Sequence, residues 1–379
     1  MQVYLDNAAT TLLDPAVLAA MLPYMELVYG NPSSLHAYGR AAKVAVEKSR
    51  KMVAELLHAS PAEIFFTTGG TEGNNLVLAG AVARLGIQHI ITTPIEHLSV
   101  LEVVQHLATK QAIQVHYVEL DEKGQLQYDH LEKLLQQHSR ALVSLMHGNN
   151  EIGNLTDLVS VGELCSKYQA VFHTDAVQTL GHYEFNLSQL PVGILVGSGH
   201  KFHGPKGSGV VYINSQLAIA PQLLGGSQER SMRAGTENVP AIVGLSHALC
   251  IAHRDMRSNR QAIEQLKAHM IRALQASIPG VGFYGASDDL SQSLYTILSV
   301  HLPPYPGEEM VLFNLDIKGI AASAGSACTS GTQKKSHVIE ALYPDSVGTT
   351  IRFSFSKYNT VSEVDYTVQQ LADILQVSS

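Results

Sequence analysis

The sequence predicts an α/β fold built on a mostly parallel sheet, and three observations carry that prediction. Between residues 64 and 213, short apolar runs alternate with longer amphipathic stretches, the pattern of strands and helices in a sheet covered on both faces. The polar residues best suited to chemistry fall directly behind those runs, at the carboxyl ends of strands, where such sheets build their sites. With 45% hydrophobic and only 15% charged residues, the chain has the composition of a buried core. Its 379 residues exceed what one core usually serves, so two domains, or one large domain with a smaller partner, are expected.

Residues 1–13 read as an extended entry segment, in which Asn7-Ala8-Ala9-Thr10-Thr11 offers backbone and hydroxyl donors rather than bulk. Asp14-Pro15 has the form of an N-cap followed by proline at the first helical position. The helix it starts carries Val17, Leu18 and Met21 and stops before Pro23. A Gly-Asn-Pro-Ser-Ser loop at 30–34 precedes a long amphipathic helix over 37–57. Strands over 64–66, 90–91, 115–120 and 141–146 are each followed by a helix, over 71–84, 98–108, 128–137 and 158–168. Apolar runs at 170–172 and 193–196 suit fully buried strands, and a further strand spans 209–213. A Gly/Ser-rich loop over 222–240 holds Glu229, Arg230, Arg233 and Glu237. One long helical region over 240–277 leads toward a second domain. There 281–300, 319–324 and 351–355 read as strands, and 308–315 and 361–375 as helices.

Two of the buried runs end in chemistry. The run at 170–172 delivers His173, Asp175 and Gln178, and the run at 193–196 delivers Ser198, His200 and Lys201. A carboxylate and a lysine at the ends of neighbouring buried strands are costly to bury unless something pairs them. A pyridinium nitrogen and an aldehyde on one cofactor would pair both. Taken singly, Asp175 also fits a structural carboxylate tied to backbone amides, and Lys201 a surface lysine that begins a loop. The stretch FTTGGTEGNN at 66–75 is a strand, a glycine turn and a helix start, whose N–H groups suit a phosphate. Thr71 as an ordinary capping hydroxyl is the plain alternative. The stretch matches neither the phosphate loop ending in Gly-Lys-Ser/Thr nor G-x-G-x-x-G, and the glycine run at 204–209 reads as a turn into the next strand.

His97 follows the 90–91 strand, where a flat ring can stack on a cofactor; a capping or core histidine is the alternative. Asn150, behind the 141–146 strand, can offer an amide to a ring hydroxyl, with Glu151 beside it in a structural role. His200 and His203 stand at metal-ligand spacing but lack a third ligand in register, so no metal is expected. Cys328 lies in the small-residue run 324–331 and suits a nucleophile, whereas Cys165 and Cys250 read as core. Arg352, between two strand apolars, suits bidentate binding of a carboxylate, with a surface ion pair on an edge strand as the alternative.

A net charge of −8, with no Lys/Arg cluster beyond two or three residues, argues against a nucleic-acid partner. No uncharged apolar run approaches the ~20 residues that span a bilayer. The opening MQVYLDNAATT lacks a basic segment ahead of an apolar core, so no secretory leader is expected. Three cysteines without paired spacing argue against a disulfide framework or a structural zinc site, and a cytoplasmic address is expected.

Ten motifs in order resemble the cysteine desulfurases, pyridoxal-phosphate enzymes of the class V aminotransferase family. They are YLDNAATT at 4–11, GNPSSLH at 30–36, FTTGGTEGNN at 66–75, EH at 96–97 and NNEIG at 149–153. HTDAVQ at 173–178, SGHK at 198–201, GGSQERSMRAGTENV at 225–239, SAGSACTSG at 323–331 and IRFSFS at 351–356 complete the series. The resemblance implies a fold-type-I, pyridoxal-phosphate-dependent transferase acting as a homodimer. A large cofactor domain would span 14–255, and a smaller α+β domain, made of 1–13 and 256–379, would carry the Cys328 loop. Lys201 would be the Schiff-base lysine of pyridoxal 5'-phosphate and Asp175 the partner of its pyridine nitrogen. His97 would stack on the ring and act in catalysis, and Asn150 and Gln178 would hold the phenolic oxygen. Gly70, Thr71, Ser198 and His200 would hold the phosphate, joined by Thr236 of the other subunit. Asn31 and Arg352 would hold the substrate carboxylate, and Cys328 would accept the sulfur.

The implied reaction turns L-cysteine into L-alanine and leaves a persulfide on Cys328 for an iron–sulfur scaffold or another sulfur-acceptor protein, with transient cluster ligation by Cys328 included. Ser326-Ala327-Cys328 fits the iron–sulfur-assembly branch. A selenocysteine lyase, a cystine-type C–S lyase, a transaminase and a catalytically silent scaffold are the competing readings. Cys328 in its motif argues against transamination, and the presence of Lys201 and Asp175 argues against a silent scaffold. Gln333-Lys334-Lys335 departs from the leucine-glutamate-proline-like turn usual after this cysteine, which bears on partner docking rather than on the chemistry.

Overall fold

The protein is described by a computed structural model over residues 1–324 and 336–377. Strand β1 (Val3–Tyr4) and helices α1 (Pro15–Glu26) and α2 (Ala37–Leu56) lead into the alternating region. That region runs β2 (Ile64–Thr67), α3 (Gly70–Leu85), β3 (His89–Thr92), α4 (Leu98–Gln111), β4 (Gln114–Tyr117), α5 (Tyr128–Gln137), β5 (Ala141–Ser144) and α6 (Leu158–Lys167). It ends with β6 (Val171–Asp175), β7 (Ile194–Ser198) and β8 (Gly209–Ile213). The seven strands from β2 to β8 form one sheet in the order β2-β8-β7-β6-β5-β3-β4, in which β8 alone runs against its neighbours. Only ten residues join β7 to β8, too few for a crossover helix, so the chain must return antiparallel.

Helices cover both faces, as the alternation predicts. Val17, Val46, Leu131, Val161 and Leu245 pack on one side, and Val77, Val104, Ile90, Leu142 and Val196 on the other. After α7 (Val239–Arg254) and α8 (Met256–Ser277) come β9 (Gly282–Phe283), β10 (Ile297–Leu302), α9 (Val311–Ile317), β11 (Ile320–Ala321), α10 (His337–Leu342), β12 (Thr349–Ser354) and α11 (Val361–Val377). Here β12, β10 and β9 make a second, antiparallel sheet, and β1 pairs with β11. A third core joins Val3 and Leu5 to Ile263, Met270, Leu298, Phe353 and Leu371.

Several sequence expectations are corrected. Pro23 lies inside α1, because its missing N–H removes one bond near the last turn while its carbonyl still accepts from Leu27 and Val28. The 240–277 region is two helices, broken at Asp255. The 281–300 stretch is not one strand: Ser287, Asp289 and Ser293 bend it through turns between β9 and β10. The 115–120 and 319–324 strands are shorter than expected, and in α2 the apolar Val44 is exposed. No helix among the described residues is long and apolar enough to cross a membrane.

Candidate active site

The carboxyl ends of the parallel strands open into a cavity of about 350 Å³. Gly70, Thr71, His97, Asn150, Asp175, Gln178, Ser198, His200, Lys201 and Arg352 all line it. They come from five different connections in the large sheet and from β12, a convergence that no single motif spells out. Asn31 and Thr236 lie elsewhere and are exposed: Asn31 turns its side-chain oxygen back onto the Ser33 N–H, and Thr236 lines a separate cleft beside Thr67 and Arg233. Cys328 and Gln333-Lys334-Lys335 lie outside the described residues.

Lys201 follows β7 in a single helical turn, and its ammonium donates to the carbonyls of Ala8 and, at 2.9 Å, Ala9. The Asn7–Thr11 segment supplies the expected donors, with the Ala8 N–H on Ser354 Oγ and the Thr11 hydroxyl on His200 O, and it supplies these carbonyl acceptors as well. Burial lowers the Lys201 pKa to about 8, and the Arg352 cation pushes the same way. Ala8 O also accepts from Gln178 Nε2 at 3.0 Å, so Gln178 and Lys201 share one anchor.

Asp175 ends β6 and is buried, 7% exposed. Its Oδ1 accepts from the Val177 N–H at 2.9 Å, as the structural alternative supposes, and Oδ2 accepts from Asn74 Nδ2 at 2.7 Å. Asn74 is fully buried and also donates to Ser99 Oγ at 2.8 Å, which meets His97 Nδ1 at 2.8 Å. On its other side Asn74 Oδ1 meets His173 Nε2 at 3.2 Å, and His173 Nδ1 meets Ser144 Oγ at 2.9 Å. A continuous polar chain therefore links Asp175 to His97. The sequence reading missed Asn74, Ser99 and the part played by His173; the one available signal was helical spacing, which puts Asn74 a turn beyond Gly70 and Thr71.

His97 caps α4: its Nδ1 accepts from the Ser99 N–H at 3.1 Å, which places the proton of the neutral ring on Nε2. The ring is open to the cavity, yet the protein packed behind it lowers its pKa, opposed by the charge of Asp175. Glu96, beside it, is buried, and burial raises its pKa to about 8. Its carboxyl group accepts from the Met146 N–H and from Thr93, which ties the His97 connection to the end of β5. His337, a cavity residue not foreseen, donates from Nε2 to Glu96 O at 2.9 Å.

The N-terminus of α3 faces the cavity at Gly70 and Thr71. Thr71 is not its cap: Gly69 holds that position and makes no side-chain bond. Ser198 Oγ, beside Gly69, is buried without a partner among the described residues. A Cβ on Gly209 would lie 2.7 Å from the Gly69 Cα, so the 204–209 turn needs glycine there to close against this loop. His200 Nδ1 meets Thr10 Oγ1 at 3.1 Å while His203 Nδ1 donates to Leu12 O at 2.8 Å, so the two rings turn to different partners rather than to one metal. Burial holds both near a pKa of about 4, hence neutral. Free N–H groups at a helix end, an orphaned buried hydroxyl and nearby small residues fit a phosphate. A buried carboxylate and a low-pKa amine across the same cavity fit the two ends of pyridoxal.

Arg352 is 5% exposed, which removes the surface-pair alternative. It pairs with Asp6 at 2.9 Å and donates to Asn150 O at 2.9 Å, while its buried Nε has no partner among the described residues.

A model of the Aminotransferase class-V family matches residues 3–367. "Cysteine desulfurase IscS" of Dictyoglomus turgidum is 38% identical over 380 aligned positions, covering 99% of this chain and 95% of the relative. A solved structure named "NIFS-LIKE PROTEIN" superposes with a TM-score of 0.91 at 37% identity, covering 100% of both chains. Another, "SspA in complex with cysteine", superposes with a TM-score of 0.81 at 28% identity, covering 95% of this chain and 100% of the other.

Proposed function

The chain belongs to the class-V aminotransferase family and, within it, to the cysteine desulfurases, and from that premise we propose that it binds pyridoxal 5'-phosphate and converts L-cysteine to L-alanine, passing the sulfur to Cys328 as a persulfide. Its α/β architecture is that of the fold-type-I enzymes. The observation that carries the reading is the meeting of Lys201, Asp175, the α3 N-terminus and the orphaned Ser198 hydroxyl at one cavity.

Pyridoxal 5'-phosphate, when bound, supplies an aldehyde carbon for the amine and a ring that accepts electrons from Cα. Gly70, Thr71, Ser198 and His200 hold the phosphate, and Thr236 of a second copy joins them. Asp175, fixed by Asn74, keeps a proton on the pyridine nitrogen. Asn150 and Gln178 would hold the phenolic oxygen, and His97 would face the ring. Arg352, with Asn31, takes the substrate carboxylate. Lys201 moves the proton at Cα. The Cys328 thiolate attacks the substrate sulfur; the C–S bond breaks, its electron pair stays with carbon, and the protonated carbon fragment leaves as alanine. The persulfide then serves an iron–sulfur scaffold or another acceptor.

We place the large cofactor domain at 14–255 and the small domain at 1–13 with 256–379, in line with the separate core around Leu298 and Phe353. Leu18, Leu22 and Met25 of α1, Tyr38 of α2, and Leu27 and Leu35 in the connection between them are exposed, the kind of apolar surface that a second copy would cover in a homodimer.

The test supplies L-cysteine and a reductant to holoprotein and measures alanine and sulfide. Wild type produces both, and Cys328→Ser loses sulfide release. Lys201→Ala loses the visible absorption of the bound cofactor. Equal sulfide from wild type and Cys328→Ser removes the thiol from the reaction, and a colourless wild type after reconstitution removes the cofactor.

A further inference from the structure

At the opposite end of the sheet from the cavity, three histidines converge. His89 opens β3, His116 lies in the edge strand β4, and His138 directly follows α5. Parallel pairing aligns His89 with Gln114, so His116 sits two residues on and shares a face with His89. On the other side β5 pairs with β3 through His89 and Ala141, which brings the α5–β5 connection alongside. Backbone bonds from Gln88 N to Arg140 O at 3.1 Å and from Gln114 N to Gln88 O at 3.0 Å lash the three segments together. The convergence is therefore built on sheet register rather than on side-chain chance.

His89 Nδ1 lies 3.1 Å from His116 Nε2, and the rings of His116 and His138 stack with centroids 3.8 Å apart. One nitrogen from each ring lies within 4.8 Å of the other two. All three residues are half-buried, fixed on one side and open to solvent on the other.

We propose that His89, His116 and His138 form a binding site for a Zn²⁺ ion, which staples the edge strand β4 to β3 and to the α5–β5 connection. Zinc–imidazole bonds of roughly 2.0–2.1 Å in tetrahedral geometry need nitrogens about 3.3 Å apart. The His89–His116 pair already meets that spacing, and His138 reaches it by rotating out of its stack on His116. The ring that donates in the His89–His116 contact shifts its proton to its other nitrogen, so both facing atoms offer lone pairs. Water takes the fourth position on the solvent side.

The test uses tag-free holoprotein carrying Cys328→Ser, so that the thiol takes up no metal. Titration calorimetry with Zn²⁺ is expected to give one equivalent of binding and a raised thermal midpoint. His116→Gln and His138→Gln, made separately, are each expected to weaken binding at least tenfold and to abolish the thermal shift, with the cofactor absorption unchanged. Co²⁺ on the parent is expected to give the visible bands of a four-coordinate nitrogen-rich site. Equal Zn²⁺ affinity and stoichiometry in parent and both variants overturns the proposal, as does a parent that takes up no equivalent of Zn²⁺ or shows no such cobalt bands.

Discussion

Replacing Glu229 by glutamine isolates a buried ion pair that holds the strand leading into the Gly69-Gly70 turn. Arg50 and Glu229 form a two-pronged pair, Nη1 to Oε2 at 2.7 Å and Nη2 to Oε1 at 2.8 Å, with side chains only 3% and 2% exposed. Glu229 Oε2 also accepts from the Phe66 N–H at 2.8 Å, in the strand that leads into the Gly69-Gly70 turn. Glutamine keeps one acceptor oxygen, which can serve Phe66 and Nη1, but its amide then confronts Nη2 donor to donor. It also leaves a buried guanidinium without its main counter-charge. Removing one partner of a buried pair costs about 3–5 kcal/mol. Glu47 also touches Arg50 Nε, at 3.2 Å, but is half-exposed, which places the expected cost near the lower end.

The double variant Arg50→Met, Glu229→Gln sharpens the argument. Ile64 O, which accepts from Arg50, also accepts from Arg230 Nη2, so methionine leaves it paired. Phe66 keeps the glutamine oxygen, and methionine sulfur can replace the guanidinium over the Phe66 ring, now 4.9 Å from its centroid. The double variant should therefore recover most of the loss. Denaturant unfolding of the holoprotein at fixed concentration measures all four corners of the cycle, and cofactor retention during dialysis reports the connection to the cavity. A single-variant cost below about 1 kcal/mol, or a double variant worse than the sum of the two singles, would refute the reasoning.

Two further predictions rest on single groups. In the proposed function, the uptake of pyridoxal phosphate by apoprotein requires the neutral Lys201 amine. With the pKa lowered to about 8, the rate should rise through that pH and level off, instead of climbing toward the ordinary lysine value of 10.5; Arg352→Gln, which removes a lowering charge, should move the midpoint upward, and stopped-flow absorbance that still climbs steeply one unit above the plateau pH would contradict this. Gly80→Ala should destabilise the protein, although helix propensity alone favours alanine by about 1 kcal/mol. A Cβ there would lie 2.4 Å from the Ala220 carbonyl oxygen, whose N–H is bonded to Gly80 O; overpacking costs roughly 1–3 kcal/mol, and a raised thermal midpoint would be the contrary result.

The alternation that predicts the sheet is legible because buried parallel strands leave continuous apolar runs, and the 209–213 strand is recovered at its observed limits. Its reversed direction is not legible, since one strand reads alike either way and only the length of the 199–208 turn decides. Pro23 and Asp255 mislead in opposite senses: a proline near a helix end costs little, and a single aspartate suffices to break an otherwise helical run. In the cavity, residues with unusual chemistry at strand ends could be named in advance. Asn74, Ser99 and the Ala8 and Ala9 carbonyls could not, because each works through a partner more than twenty residues away, or through its backbone, and composition carries no trace of either.

Two lysines whose pKa burial lowers show what finally separates a site from a core. Burial lowers the pKa of Lys201 to about 8 and of Lys267 to about 7, so the shift alone ranks the wrong residue first. Lys267 is fully buried in α8 and donates to Ser293 Oγ at 2.8 Å and Leu294 O at 2.7 Å, where it ties that helix to the turn before β10. Lys201 also borrows backbone carbonyls, but it does so at the wall of a cavity it shares with a buried carboxylate, an unpartnered serine hydroxyl and an arginine with a free buried N–H. Unsatisfied polar atoms are expensive in a core and persist where a ligand completes them. The distinguishing mark is therefore the unsatisfied company that a shifted residue keeps. On that criterion Arg352→Gln, which removes the unpartnered Nε together with its charge, should weaken retention of the substrate carboxylate far more than it weakens the fold.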